Sequence, residues 1–272
     1  MLTSQRRREI LRRVAEEGYV EARALAGDLA VDPSTIRRDL DALARARQIT
    51  RVRGGARPAP SGAADVPYVV KQQERLHAKT AIAQAAAELV ADGMSVVLDS
   101  GSTIYQVGLA LRGRRGLTVV TNDLRTAKML ATVPDMRLLV SGGELLGSVY
   151  SLVGHAAETF VRDVAVDMAF LGADAIEVVA GITNTNSLEV PLKRAMMESA
   201  GTTVVCADSS KFGRRALVKV AALDEVGLVL TDTELPEHEA EPYGGVLRRV
   251  PLAEAPAPDP GDGDGEAVAV FA

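Results

Sequence analysis

From about Ala78 to Leu230, short apolar runs alternate with stretches of helical periodicity, and this constrains the fold more than any other feature of the chain. The runs are Val96 to Leu98, Leu117 to Val120, Leu138 to Val140, Met168 to Leu171, Val204 to Cys206 and Val226 to Leu230. Strands that recur with helices between them lie mostly parallel in one sheet. An α/β domain over residues 75–252 is therefore expected. With 272 residues and 47% hydrophobic content, there is chain enough for that core and one smaller module.

The smaller module lies at the N-terminus. Ile10, Leu11 and Val14 share one face of a helix over residues 5–17, which Gly18 ends. Leu25, Ala26, Leu29 and Ala30 mark a short second helix. Asp32-Pro33 opens a third, since Asp32 can accept from free N–H groups of the first turn and Pro33 has no N–H to leave unsatisfied. Residues 48–56 read as a β ribbon turning at Gly54-Gly55, with Ile49 and Val52 available to pack beneath. Three helices and a ribbon over residues 1–57 make a winged helix-turn-helix. The Pro- and Ala-rich residues 58–74 read as a linker, and the acidic residues 253–272 have no apolar face and read as a disordered tail.

Charge divides unevenly between these parts. The net charge is −5, yet residues 1–57 hold 13 Lys and Arg against 8 Asp and Glu, which leaves 18 against 28 for the rest. A basic head on an acidic body fits a duplex-binding module joined to something else. In the third helix Ile36, Leu40 and Leu43 point inward, which turns Ser34, Thr35, Arg37, Arg38 and Asp41 outward. Such a helix suits the major groove, where Arg reads guanine and Ser or Thr reach bases or phosphates. Arg51 and Arg53 of the ribbon suit phosphates or the adjacent minor groove. Asp39 is expected to fix an arginine or a neighbouring helix rather than touch DNA. A single short recognition helix reads too few base pairs, so a homo-oligomer, dimer or tetramer, is expected.

In the body, strand Val96 to Leu98 runs into Asp99-Ser-Gly101-Ser102-Thr103 and then a helical pattern. That loop places free N–H groups, hydroxyls and a helix dipole where an anion can sit. Alone it reads equally as a tight strand-to-helix turn. Other strand ends add Thr121-Asn122, Gly142-Gly143, Gly172-Ala-Asp174 and Asp208 with Lys211, and in a parallel sheet such ends line one crevice. Lys193 and Lys211 either add positive charge beside a phosphate or are ordinary surface lysines.

These residues resemble a known family. Residues 6–57, with Ser34-Thr-Ile-Arg-Arg-Asp-Leu40 and Ile49-Thr-Arg-Val-Arg-Gly-Gly-Ala56, look like the DNA-binding head of DeoR-type repressors. Asp32-Pro33 departs from the serine cap and non-proline more usual there. Lys79 to Asp232 resembles the sensor domain of the same family, a Rossmann-like domain itself similar to ribose-5-phosphate isomerase. The resemblance implies operator DNA and a phosphorylated sugar as partners, the sugar held by Gly101, Ser102, Thr103, Thr121 and Asn122 with Asp174 near its hydroxyls. Lys79 matches a family lysine, but Ala78 stands where a glutamate usually precedes it.

Two other classes stay open. A sugar-phosphate isomerase would use carboxylates such as Asp174 and Glu189 together with a lysine. Where the isomerases carry Lys-Gly-Gly, however, this chain reads Gly181-Ile-Thr183, so no enzyme is expected. An architectural DNA binder would use the large domain only to oligomerise. His77, His155 and His238 lack ligand spacing and Cys206 reads as core, so no metal and no cofactor are expected. With one cysteine, no charged-then-apolar leader and no apolar run long enough to span a bilayer, a cytoplasmic protein without membrane partners is expected.

Overall fold

The computed structural model describes residues 2–45, 49–58, 71–72, 74–147 and 149–252. Gln48, most of the expected linker and the acidic tail lie outside the described residues.

The N-terminal part comprises α1 (Thr3–Glu17), β1 (Val20–Glu21), α2 (Ala22–Asp28), α3 (Pro33–Arg45), β2 (Ile49–Val52) and β3 (Gly55–Pro58). Gly18 ends α1 at a φ of 69°, its N–H reaching the Val14 carbonyl at 3.2 Å. Asp32 Oδ1 accepts the Ser34 N–H at 2.7 Å at the start of α3. One core joins Ile10, Leu11 and Val14 of α1, Leu25 of α2, Ile36, Leu40 and Leu43 of α3, and Ile49 of β2. Val52, expected beneath the ribbon, is only half-buried.

β1 has no counterpart in the sequence reading. It is two residues long, too short for any periodicity, and it exists because β3 returns to pair with it in the antiparallel order β1-β3-β2. Val20 faces Ala56 in that pairing, and a Cβ on the adjoining Gly55 would lie 2.0 Å from the Val20 carbonyl oxygen. The close approach explains a glycine at 55 beyond its place in the turn.

The larger part is built on seven strands: β4 (Ser95–Leu98), β5 (Thr118–Thr121), β6 (Arg137–Val140), β9 (Val166–Leu171), β12 (Ala200–Cys206), β14 (Leu228–Asp232) and β15 (Leu247–Val250). Their order is β15-β14-β12-β9-β4-β5-β6, and every pairing is parallel. Along β4, Val96 and Leu98 pack with α4 (Leu76–Glu88), α5 (Ser102–Ala110) and α6 (Leu124–Leu130), whereas Val97 faces α7 (His155–Arg162) and α8 (Val190–Glu198). Both faces are covered, which is why the strands read as continuous apolar runs.

From β4 the chain moves outward through β5 and β6; from β9 it moves the other way through β12, β14 and β15. The order reverses between β4 and β9, and a crevice opens beyond their C-terminal ends. Sequence periodicity does not mark β15, the hairpin of β7 (Glu144–Leu146) with β8 (Ser151–Val153), or an antiparallel sheet of β10 (Ala175–Glu177), β11 (Gly181–Asn184) and β13 (Val218–Ala221). These are short and interrupted by polar residues or glycine, and only their tertiary pairing makes them strands. The antiparallel sheet carries Asn184 to one side of the crevice. A last short helix, α9 (Glu237–Ala240), precedes β15.

Candidate functional site

On the N-terminal part, α3 exposes Arg37 and Arg38, with Ser34 and Thr35 half-buried beside them. Asp39 lies on the opposite side and is buried. It accepts Arg6 Nε at 2.6 Å and Arg7 Nε at 2.8 Å, so it clamps α1 to α3 as the sequence reading expects. Arg53 is exposed in the turn between β2 and β3. Arg51 is not held as a free cation: its guanidinium lies 3.0 Å from Asp41 and donates to the Gly55 carbonyl at 3.2 Å, bracing the ribbon against α3. Sequence spacing could not reveal that pairing, because Asp41 and Arg51 meet only once the ribbon folds back.

On the larger part, β4 ends in a loop that turns at Gly101, whose φ is 118°. Asp123 accepts the Gly101 N–H with Oδ2 at 3.2 Å, and its Oδ1 accepts the N–H groups of Arg125 and Thr126 at the start of α6. This fully buried carboxylate therefore fixes the loop and caps a helix at once, and burial pushes its pKa up. No side chain caps α5. The N–H groups of Ser102, Thr103 and Ile104 have no intrahelical acceptor and stand at the positive end of the helix dipole. All three residues line the crevice.

The facing wall is made of side chains. Asp174, Asn184, Glu189 and Lys193 line it, with Lys211 and Lys79 nearby. Glu189 accepts from Ser100 Oγ at 3.3 Å and Asn184 Nδ2 at 3.2 Å, while Asn184 Oδ1 is buried without a hydrogen-bond partner among the described residues. Lys193 is no surface lysine. Its ammonium is buried, donating to Asp99 Oδ2 and, at 2.9 Å, to the Gly172 carbonyl. Burial would lower its pKa, but the carboxylates of Asp99 and Glu189 hold it above the ordinary lysine range. For Lys79 burial outweighs the pull of the Asp208 carboxylate and brings the pKa down to about 8.

The crevice thus gathers Gly101, Ser102, Thr103, Asp174, Lys193 and Lys211, with Asp99 beneath as the counter-ion of Lys193. It does not gather Thr121, Asn122, Gly142 or Gly143. Thr121 Oγ1 accepts the Asp123 N–H at 3.1 Å, and Asn122 Nδ2 ties the end of β5 to Ser151 Oγ and the Leu152 carbonyl. Gly143 makes room for β8, since a Cβ there would lie 2.5 Å from the Val153 carbonyl oxygen. The strand-end rule gathers these four too broadly: Asn122 and Gly143 serve the contact with β8, and Thr121 serves the turn into α6. The rule also leaves out Lys71 and Glu74, which line the crevice from what reads as linker, and Arg75 at the first position of the larger domain. A charged run before a helix gives no sign by itself that it folds back over a sheet.

Residues 74–233 match the family model described as the DeoR C-terminal sensor domain. The chain belongs to the DeoR family. Residues 6–61 match the DeoR-like helix-turn-helix domain as well. Relatives include the glycerol-3-phosphate regulon repressor of Escherichia coli, 33% identical over 87% of this chain and 93% of its own length. The HTH-type transcriptional regulator GlpR of Haloferax volcanii is 36% identical over 86% of this chain and 92% of its own. Ribose 5-phosphate isomerase A from Neisseria gonorrhoeae overlaps 50% of this chain and 53% of its own at 20% identity and a TM-score of 0.37, too slight a likeness to bear on function. As a DeoR-family member, the chain is a DNA-binding transcription regulator and not an enzyme, which removes the isomerase alternative. Among the described residues no helix is long and apolar enough to cross a membrane, and no cluster of His, Cys, Asp or Glu could hold a metal ion.

Asp174 carries a titration that can be measured. Burial opposes its ionisation, but the Lys71 ammonium and the Thr185 N–H outweigh it and bring the pKa from an ordinary 3.8 to about 2. The folded state then binds this proton less readily than the unfolded chain does. The associated stability, about 2 kcal/mol, is full above the unfolded value and is lost as pH falls through about 2. The stability gap between the wild type and Asp174→Asn should therefore close between pH 4 and pH 2 in urea titrations. A gap that stays constant with pH would assign the stability of this region to something else.

Proposed function

We propose that the DeoR-family chain represses a carbohydrate operon until a phosphorylated sugar, or a related polyol phosphate, binds in the crevice between β4 and β9. One observation carries the proposal: three free N–H groups at the start of α5 face a wall of Asp174, Glu189 and Asn184 across a single cleft. The first side attracts an anion without a hydration shell, and the second offers acceptors for hydroxyl groups. A molecule with a phosphate at one end and hydroxyls at the other satisfies both. Lys211 and Lys79 add positive charge, while Lys193, neutralised by Asp99, shapes the floor. The names of the relatives make glycerol 3-phosphate the first compound to try.

In this reading residues 1–57 bind operator DNA through Ser34, Thr35, Arg37, Arg38 and Arg53, residues 58–74 connect, and residues 75–252 sense. The chain works as a homo-oligomer in the cytoplasm, where its DNA is. Thermal unfolding with a panel of sugar and polyol phosphates is the test, because any ligand that prefers the native state raises the apparent midpoint. A midpoint unmoved by every compound would favour a large domain that only oligomerises.

Each of Arg37→Ala and Arg38→Ala is expected to cost about 1 to 3 kcal/mol of operator binding, since both are exposed on the outer face of α3. Gel shifts on a duplex selected from random sequence measure this. Wild-type affinity in both variants would place another face against DNA.

A further inference from the structure

We propose that Lys71 occupies the place of the effector's hydroxyl on Asp174, so that the segment entering the sensor domain is a tethered competitor that effector binding must release. This rests on the effector reading above and adds how occupancy of the crevice reaches the DNA-binding part.

Asp174 has both oxygens engaged. Oδ2 accepts the Thr185 N–H at 2.9 Å, a fixed main-chain contact, and Oδ1 accepts Lys71 Nζ at 3.1 Å. Only the second partner can leave without breaking a backbone contact. Each oxygen keeps a further lone pair, but Lys71 lines the same crevice, so a hydroxyl that approaches Oδ1 from there meets an ammonium belonging to the chain itself. The two side chains are 22% and 17% exposed, enough for solvent or a ligand to reach the pair.

The opposite end of the segment is anchored far more firmly. Arg75 adopts a left-handed conformation at a φ of 53° and directs its guanidinium into Asp208, Asp232, Ser209 and Glu234. Asp208 and Asp232 are buried and Arg75 itself is partly exposed, so the anchor is a multiply bonded arginine seated on two buried carboxylates. Between the two ends, Lys79 of α4 donates to the carbonyl oxygens of Lys71 and Glu74 and holds the segment over the crevice. Lys71, Glu74, Arg75 and Lys79 all line that crevice.

The arrangement has one fixed end, at Arg75, and one exchangeable end, at Lys71, and the DNA-binding part connects through the exchangeable end. A ligand shifts such an equilibrium only by as much as it prefers one state. Displacement of Lys71 supplies that preference, because the ligand-bound crevice and the Lys71–Asp174 pair exclude each other.

Lys71→Met tests this, with Lys71→Arg as the charge-retaining control. Without any ligand, Lys71→Met should bind the selected operator duplex with the affinity that the wild type shows in saturating glycerol 3-phosphate, and Lys71→Arg with that of the ligand-free wild type. Lys71→Met should also bind glycerol 3-phosphate roughly fivefold tighter, about the factor a partly exposed ion pair withholds. Hydrogen exchange at residues 71–79 should quicken in Lys71→Met, while the midpoint of sensor-domain unfolding falls by no more than the share of stability that the Lys71–Asp174 pair supplies. Operator affinity and exchange both unchanged in Lys71→Met would overturn the proposal, whatever the ligand does. If glycerol 3-phosphate leaves the wild type unaffected but Lys71→Met still alters operator affinity, the choice of effector fails and the tethered competitor stands.

Discussion

Replacing Asp39 by alanine should leave the DNA-binding part largely unfolded at room temperature. Asp39 is 2% exposed and Arg6 is 7% exposed, and the carboxylate is the shared acceptor of Arg6 and Arg7. Truncation removes the buried carboxylate that the two guanidinium groups share, and breaking a buried pair in this way costs about 3 to 5 kcal/mol. A module of this size has only a few kcal/mol of stability in total, so the loss approaches all of it. Circular dichroism should show reduced helix content with the sensor-domain transition intact, and operator binding should vanish. Asp39→Asn keeps a hydrogen-bond acceptor and should fall between. If Asp39→Ala retains a cooperative transition for the N-terminal part and binds operator normally, the clamp between α1 and α3 is not what holds that part together.

The second large effect is expected at Lys193. Its ammonium and Asp99 form a pair with both members buried, set between β4 and α8 under the crevice floor. Lys193→Met strands Asp99, whose remaining side-chain hydrogen-bond partner among the described residues is the Gly172 N–H at 3.0 Å, and should cost about 3 to 5 kcal/mol in urea unfolding of the sensor domain. The double variant Asp99→Leu with Lys193→Met replaces the pair by apolar groups and should recover most of that loss. A single variant as stable as the wild type would mean that water reaches Asp99. A double variant no better than the single would mean that the pair itself, and not the stranded charge, supplies the stability.

Legibility of the fold in the sequence followed period and burial. The strands of the parallel sheet from β4 to β14 are buried on both faces, so Val96 to Leu98 and Val204 to Cys206 stand out as uninterrupted apolar runs. Gly181 to Asn184 is equally a strand and fully buried, yet Thr183 and Asn184 are polar, and their hydrogen-bond partners Ala175, Glu189 and Ala216 all lie outside the strand. Nothing local marks them. The head was readable because Asp32, Pro33 and the spacing Ile36, Leu40, Leu43 each point to the same helix.

The site was legible where it rests on the main chain and less so where it rests on side chains meeting across the fold. A strand, a small-residue loop and a helix start locate Gly101 to Thr103 directly. The pairing of Lys193 with Asp99 spans 94 positions and that of Lys71 with Asp174 spans 103, so no spacing rule reaches either. Arg51 is the converse case: its type and place suit a phosphate, but Asp41 and the Gly55 carbonyl engage it first.

The uncapped start of α5 has an evolutionary consequence. Amide groups of the backbone survive every exchange of side chain except to proline, so selection cannot easily erase the grip on an anion proposed for Ser102 to Ile104. The acceptors opposite are ordinary side chains, each open to replacement. Descendants of such a receptor would keep the charged end of their signal and trade the rest, acquiring new inducers one hydroxyl pattern at a time.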